Sequence, residues 1–266
     1  MYKKYRSILI LMITALFLMG LVTACGKKTT TAIPVTATEK PQVAPTATTK
    51  VEVPTAVPTK PQPVAACTIT SSIKPEWKTK LCETFDNNSR GWVVGDQSTE
   101  LMNSDIKIEG GKYIIDYGGK AVKGYDTGTG SRIIIGDSAD FAVTIKGKFD
   151  TDNKYVGWGV VFRSSQVKDG YMFRISHEGL YAFQRIEGGA LFSLIPAKSS
   201  GLIKSDQDNT ITVVAEGNHF DFYINDSLIN SYDDAKLTGT KLYMVLWLAE
   251  GAKSVFQFDE VLVKTP

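Results

Sequence analysis

The sequence predicts an all-β domain over residues 67–266. Short runs rich in Val, Ile, Phe and Tyr recur between Gly, Asn and Asp turn signals, the pattern of a sandwich or a barrel. Several runs alternate apolar and polar residues with a period of two. No stretch shows convincing helical periodicity. The span of 200 residues suits one large β domain.

Taken in order, Lys107 to Ile115 reads as a hairpin turning at Gly110-Gly111. Phe141, Val143, Ile145, Gly147 and Phe149 alternate with Ala142, Thr144, Lys146 and Lys148, as in a half-buried strand. Trp158 to Phe162 is almost continuously apolar and is expected at the centre of a sheet. Tyr171–Ser176 and Gly179–Arg185 form a predicted hairpin through His177-Glu178-Gly179. Thr210–Ala215 is expected to pair with Phe220–Ile224 through Glu216-Gly217-Asn218. Leu242–Leu248 and Val255–Val263 are the last strands. The expected total is ten to thirteen strands, with residues 195–208 as the one long irregular stretch, holding a helical turn.

Ahead of this domain the chain has a different character. Met1 to Arg6 is short and basic, and Ile8 to Val22 is apolar apart from Thr14 and Gly20. This is the layout of a secretory signal. The run of about 15 residues is short of the ~20 that a spanning helix needs. It ends in Val22-Thr23-Ala24-Cys25, which resembles the lipobox of bacterial lipoproteins. That resemblance implies a signal peptide over 1–24, a diacylglyceryl group on Cys25, and a place on the extracellular face of a bacterial membrane. Residues 25–66 then form a spacer rich in Thr, Pro, Ala, Val and Lys. Its proline density excludes a helix and predicts a disordered, partly polyproline II tether reaching up to roughly 125 Å.

The chain carries +2 overall; Lys3, Lys4 and Arg6 supply +3 and residues 26–66 a further +3, which leaves −4 on residues 67–266. An acidic domain argues against a nucleic-acid partner. The three cysteines make an odd count. If Cys25 takes the lipid, as the lipobox implies, Cys67 and Cys82 remain as a disulfide or as two buried thiols. The two histidines, His177 and His219, stand away from any cysteine in sequence, which disfavours a His/Cys metal site.

Four stretches resemble the concanavalin A-like lectin/glucanase superfamily, and within it the LamG-like and 3-keto-disaccharide hydrolase-type domains. They are Glu83-Thr84-Phe85-Asp86 with Gly91-Trp92; Gly157-Trp158-Gly159-Val160-Val161-Phe162-Arg163 with Gly170-Tyr171-Met172-Phe173-Arg174-Ile175; Asn209 to Gly217 with Phe222-Tyr223-Ile224-Asn225-Asp226; and Phe256 to Val263. Asp226 stands where the pattern has Gly, and Glu260 where Asn is common. The resemblance implies a two-sheet antiparallel jelly-roll sandwich. Phe85, Trp92, Phe162, Phe173, Phe222 and Phe258 have the size to fill the space between its sheets.

Function is less fully written. Glucanases of this fold carry Glu-x-Asp-x-x-Glu on one strand, and no such run occurs. Glycosidic cleavage needs paired carboxylates, whereas Asp116, Asp221, Glu250 and Asp259 are scattered. No Gly-x-Ser-x-Gly elbow and no metal-ligand cluster appears. A binding face is expected instead. Arg163, Arg174, Tyr181, Arg185, Tyr243 and Trp247 are its candidate residues, offering rings and hydroxyl-bonding groups to a sugar. Gly157, Gly159 and Val161 share the strand face of Arg163, and Met172 and Ser176 that of Arg174. No cofactor is required; the resemblance allows a structural Ca²⁺ on Asp259, with backbone from Glu83 to Phe85 and Gly111 around it. The expected protein is a monomeric surface lipoprotein, anchored in lipid through Cys25, that binds an oligosaccharide or glycoconjugate without catalysis. The alternatives are a glycoside-processing enzyme of the 3-keto-disaccharide hydrolase type, or a structural module contacting another envelope protein.

Overall fold

A computed structural model describes Cys67 and residues 73–119, 129–166, 168–249 and 251–266. The signal peptide, Cys25, the spacer and Glu250 lie outside the described residues. The described chain contains no helix. Its strands are β1 Lys78–Glu83, β2 Gly95–Asp96, β3 Met102–Ile108, β4 Tyr113–Gly119, β5 Thr129–Asp137, β6 Phe141–Asp150, β7 Gly157–Ser164 and β8 Gly170–Ser176. They continue as β9 Leu180–Glu187, β10 Ala190–Ser199, β11 Asn209–Glu216, β12 His219–Ile224, β13 Ser227–Asp233, β14 Lys241–Leu248 and β15 Lys253–Thr265.

Two antiparallel sheets result. One has nine strands in the order β13-β12-β11-β6-β15-β4-β3-β2, with β1 also on β15; the other has six, in the order β10-β9-β8-β7-β14-β5. The long β15 is the spine of the first. Its residues 253–258 pair with β4, its residues 261–265 pair with β1, and β6 runs along its other edge. The hairpin turns fall where turn chemistry put them. Gly110 and Gly111 have φ of 60° and 70°, and Asn225 and Asp226 take 49° and 63°, a conformation short polar side chains tolerate.

Rings join the sheets. Phe173 of β8 stacks on Phe222 of β12 at 4.7 Å, and Trp158 of β7 meets Phe258 of β15 edge-on at 5.4 Å. Such pairs add about 0.5–1.5 kcal/mol each beyond the area they bury. The opening motif is pinned by Glu83, whose carboxylate accepts the Phe85 N–H at 2.8 Å and the Trp92 Nε1–H at 2.7 Å.

Two expectations are corrected. There are fifteen strands among the described residues, and Ala190–Ser199 is a strand, so the irregular stretch shrinks to 200–208. The missed elements include β5, β10 and β13, which are edge strands. Eight of the ten residues of β10 are exposed, so it shows no alternation, and its Pro196 is compatible only with an edge.

Cys67 and Cys82 are joined in a disulfide with a Cα–Cα distance of 5.6 Å and a sequence separation of 15. Closing a loop of that length stabilises by up to ~3 kcal/mol. Replacing both cysteines by Ser is expected to lower the melting temperature by about 6–12 °C. A thermal melt that does not move would contradict this.

Candidate functional site

The site is built on the open face of the six-stranded sheet. Alternation on β7 sends Trp158, Val160 and Phe162 into the core, and leaves Gly157, Gly159 and Val161 on the other side. The register then sets one row across four strands: Arg132 of β5, Val245 of β14, Gly159 of β7 and Arg174 of β8. The next row runs Trp247, Gly157, Ser176. At the opposite end Val161, Met172, Ile186, Tyr243 and Val245 close into a small apolar cluster of their own.

The two glycines shape the lower half of this face. The benzo edge of Trp247 lies against bare backbone at Gly157, where any Cβ would overlap Cζ2 and Cη2. The Arg174 guanidinium lies over the Trp247 ring, 4.3 Å from its centroid, and Nε donates to Gln184 Oε1 at 2.9 Å. These contacts fix a long cation in one place. Burial pushes its pKa down from the ordinary arginine value. A groove of about 320 Å³ opens here, lined by Arg174, Trp247, Ser176, Tyr155, Tyr181 and Glu178 among others. Tyr155 is 55% exposed and its ring carries Lys154 Nζ at 4.8 Å. Glu178 is the one carboxylate among these described lining residues, and Lys154 pairs with it at 3.5 Å.

Of the six candidate binding residues, Arg174 and Trp247 meet in this groove and Tyr243 lies on the same face in the apolar cluster, only 8% exposed. The other three are placed differently. Arg163 belongs to a bulge: Lys241 pairs with Ser164 and Tyr243 with Val161, so one residue of β14 opposes two of β7. Arg163 takes φ 53°, which breaks the alternation and turns its side chain to the end of the sandwich. There it bonds Asp140 Oδ1 at 3.2 Å and the Gly217 carbonyl, tying two turns together. Arg185 shares the inward parity of Phe183 and reaches Asp234 Oδ2 at 2.7 Å and Glu187, so it ties β9 to the segment after β13. Tyr181 packs in the core against Phe173 and reaches the groove from that side. The outward residues of β9 are the alternates, Leu180, Ala182, Gln184 and Ile186.

Sequence reasoning missed Tyr155 and Gln184. Gln184 was within reach once the parity of β9 is settled by Phe183. Tyr155 sits in the loop before β7, and no periodic signal marks it.

The scattered carboxylates stay apart. Asp116, Asp221 and Asp259 all belong to the nine-stranded sheet. Asp221 and Asp259 are separated by three strand spacings, about 14 Å, and Asp259 stands four residues along β15 from the partner of Asp116, about 13 Å. Both exceed the 5–9.5 Å or so of a glycosidase pair. Asp105 and Asp116 do face each other across β3 and β4, but both are solvent-exposed and line neither groove. Asp221 bonds His219, and together Asp233 and Asp221 hold that imidazole above its ordinary pKa.

The donors around Asp259 do not fit calcium. Its carboxylate is shared by the ammonium groups of Lys112 and Lys146, the latter at 3.6 Å. No group of three or more His, Cys, Asp or Glu that could hold a metal forms among the described residues. Calcium takes six to eight oxygens.

A second cleft of about 700 Å³ lies between β5 and the segment from β1 to β3. Its lining is mostly apolar, with Trp92, Val93 and Ile134 beside Arg90 and Arg132.

No protein-family model matches the chain, and no curated protein matches it in sequence. Solved structures do. A GlcNAcα1-4Gal-releasing endo-β-galactosidase from Clostridium perfringens is 10% identical over 71% of this chain and 63% of that one, with a TM-score of 0.54. A β-glucanase from Bacillus licheniformis is 11% identical over 70% of this chain and 97% of that one, with a TM-score of 0.50. A carbohydrate-binding module from Bacillus subtilis aligns at 19% identity over 62% of this chain and 91% of that one, with a TM-score of 0.42. The fold is the concanavalin A-like jelly-roll sandwich. Identities this low carry the fold and no activity.

Chelation tests the calcium expectation at Asp259 directly. EDTA is expected to leave the melting temperature unchanged. A drop that added calcium reverses would reveal an oxygen-rich site that these donors do not form.

Proposed function

We propose that the domain binds carbohydrate in the groove at Arg174, Trp247 and Tyr155, and that it does so without catalysis. The observation that carries this reading is the make-up of the groove. It offers an exposed ring, a fixed guanidinium lying on a second ring, and the hydroxyl of Ser176. Rings suit the apolar faces of sugars, and a few placed polar groups suit their hydroxyls. Cleavage would need two carboxylates in unlike settings, and the one lining carboxylate, Glu178, is already paired with Lys154.

A glycan array on the full chain in detergent, followed by tryptophan fluorescence titration, tests this. A hit that quenches fluorescence is expected, and Trp247→Ala and Tyr155→Ala should each weaken it about ten-fold. No hit and no quenching would sink the reading. Release of new sugar ends during incubation, including from 3-keto-glucosides, would show an enzyme instead.

The same proposal holds the domain outside a bacterial membrane through lipid on Cys25, at the end of a Thr/Pro-rich tether. Support comes from Val22-Thr23-Ala24-Cys25 at the end of the apolar run. Labelled palmitate is expected in the wild-type protein and not in Cys25→Ala, which should leave the membrane fraction. Label retained in the variant would refute the anchor.

A further inference from the structure

The charge on Arg174 is the feature the carbohydrate reading leaves unused. Five arginines fall among the described residues. Three are ion-paired: Arg90 with Glu83 at 3.3 Å, Arg163 with Asp140 at 3.2 Å, and Arg185 with Asp234 at 2.7 Å. The other two, Arg132 and Arg174, form no ion pair with a carboxylate among the described residues, and they are the two on the open face of the six-stranded sheet. Each is held on an aromatic ring instead, Arg132 on Tyr243 at 5.8 Å and Arg174 on Trp247 at 4.3 Å. They end one cross-strand row, three strand spacings or about 14 Å apart.

Arg132 is partly satisfied, since Nη1 donates to the Asp169 carbonyl at 3.3 Å. Arg174 is not. Its Nε is spent on Gln184, and both Nη groups keep their hydrogens without a partner among the described residues. No Arg174 nitrogen is among the described buried polar atoms without a partner, so the Nη donors are accessible to a ligand. Both guanidinium groups are destabilised as cations by burial, which agrees with the geometry. Ser176 and Tyr155 beside Arg174 carry no charge, and Lys154 cancels Glu178.

We infer that the groove takes an acidic glycan, with a carboxylate or sulfate ester of the sugar seated on the Nη groups of Arg174. A planar guanidinium held by one edge leaves its other donors for an anion in two parallel bonds. The domain as a whole carries −4, so bulk attraction does not supply this preference; it is local to the groove. The inference rests on the carbohydrate reading and narrows its ligand class.

Isothermal titration of the full chain separates the two. Trigalacturonate is compared with its methyl ester, and a chondroitin sulfate oligosaccharide with its desulfated form. The charged member of at least one pair should bind about ten- to a hundred-fold tighter, weakening as salt rises. Which pair discriminates tells carboxylate from sulfate. Arg174→Gln should abolish the ratio, and Arg174→Lys should keep part of it. Equal binding of charged and neutral forms would overturn the inference and leave the carbohydrate reading standing. Binding of citrate or inorganic sulfate as tight as any glycan would overturn the carbohydrate reading and leave an anion site. A ratio that survives Arg174→Gln would remove Arg174 from the role, and no binding by any probe would overturn both. The ratio and its salt dependence in the wild-type chain need no variant, so they stand even where a substitution fails to fold.

Discussion

Two missing side chains govern the open face. β7 is fully buried along its length, and at Gly157 and Gly159 it presents only backbone to its neighbours, the Trp247 ring and β8. At Gly159 a Cβ would overlap the Phe173 carbonyl and stand 2.7 Å from Arg174 Cα. At Gly157 it would displace the Trp247 ring and come within 2.5 Å of the Ile175 carbonyl. Bare backbone is therefore a requirement of both the strand pairing and the site. It lets β8 close up on β7, it lets Trp247 lie down across the strand, and it gives Arg174 a ring to rest on. Glycine in a strand usually weakens it through entropy and lost packing. Here that loss is offset by Trp158, Val160 and Phe162 on the opposite face, all fully buried.

The same strand shows how much of the site the sequence discloses. Alternation from Gly157 correctly places Gly159 and Val161 outward, and it fails at Arg163 because a bulge intervenes. A positive φ at an arginine leaves no mark in composition or spacing. On β8 the alternation holds through Arg174 and Ser176. On β9 the choice between Tyr181, Phe183, Arg185 and their alternates is a parity question. Both parities contain aromatic or polar residues, so the sequence leaves it open. Phe183 against Phe222 at 4.6 Å decides it, and sends Arg185 to Asp234 instead of to the groove.

The fold is legible for a different reason. The motif residues are large, and size is what a space between two sheets selects. Phe85, Phe162, Phe173, Phe222 and Phe258 are all fully buried, and Trp92 packs on Phe85 at 5.1 Å. Edge strands escape detection because one side of their backbone and much of their surface face water. β10 and β13 thus resemble loops in the sequence, although β10 pairs along most of its length with β9. Fold and site draw on unlike signals: burial writes itself into hydrophobic pattern, whereas the position of one cation depends on a ring, an amide and a missing Cβ.

Charge is where those signals meet. Asp259, the candidate for calcium, is answered by two lysines, Lys112 of the β3–β4 turn and Lys146 of β6. Arg163 and Arg185, candidates for the ligand face, are answered by Asp140 and Asp234. Neutralising these partly buried charges within the fold is what desolvation demands. Arg174, like Arg132 at the other end of its row, is an exception among the described arginines. Glu178, the carboxylate beside the same groove, is paired with Lys154, so the guanidinium is held by a ring and an amide that position it without cancelling it. A side chain arranged that way keeps its orientation and its charge together, and both are then available to whatever enters the groove.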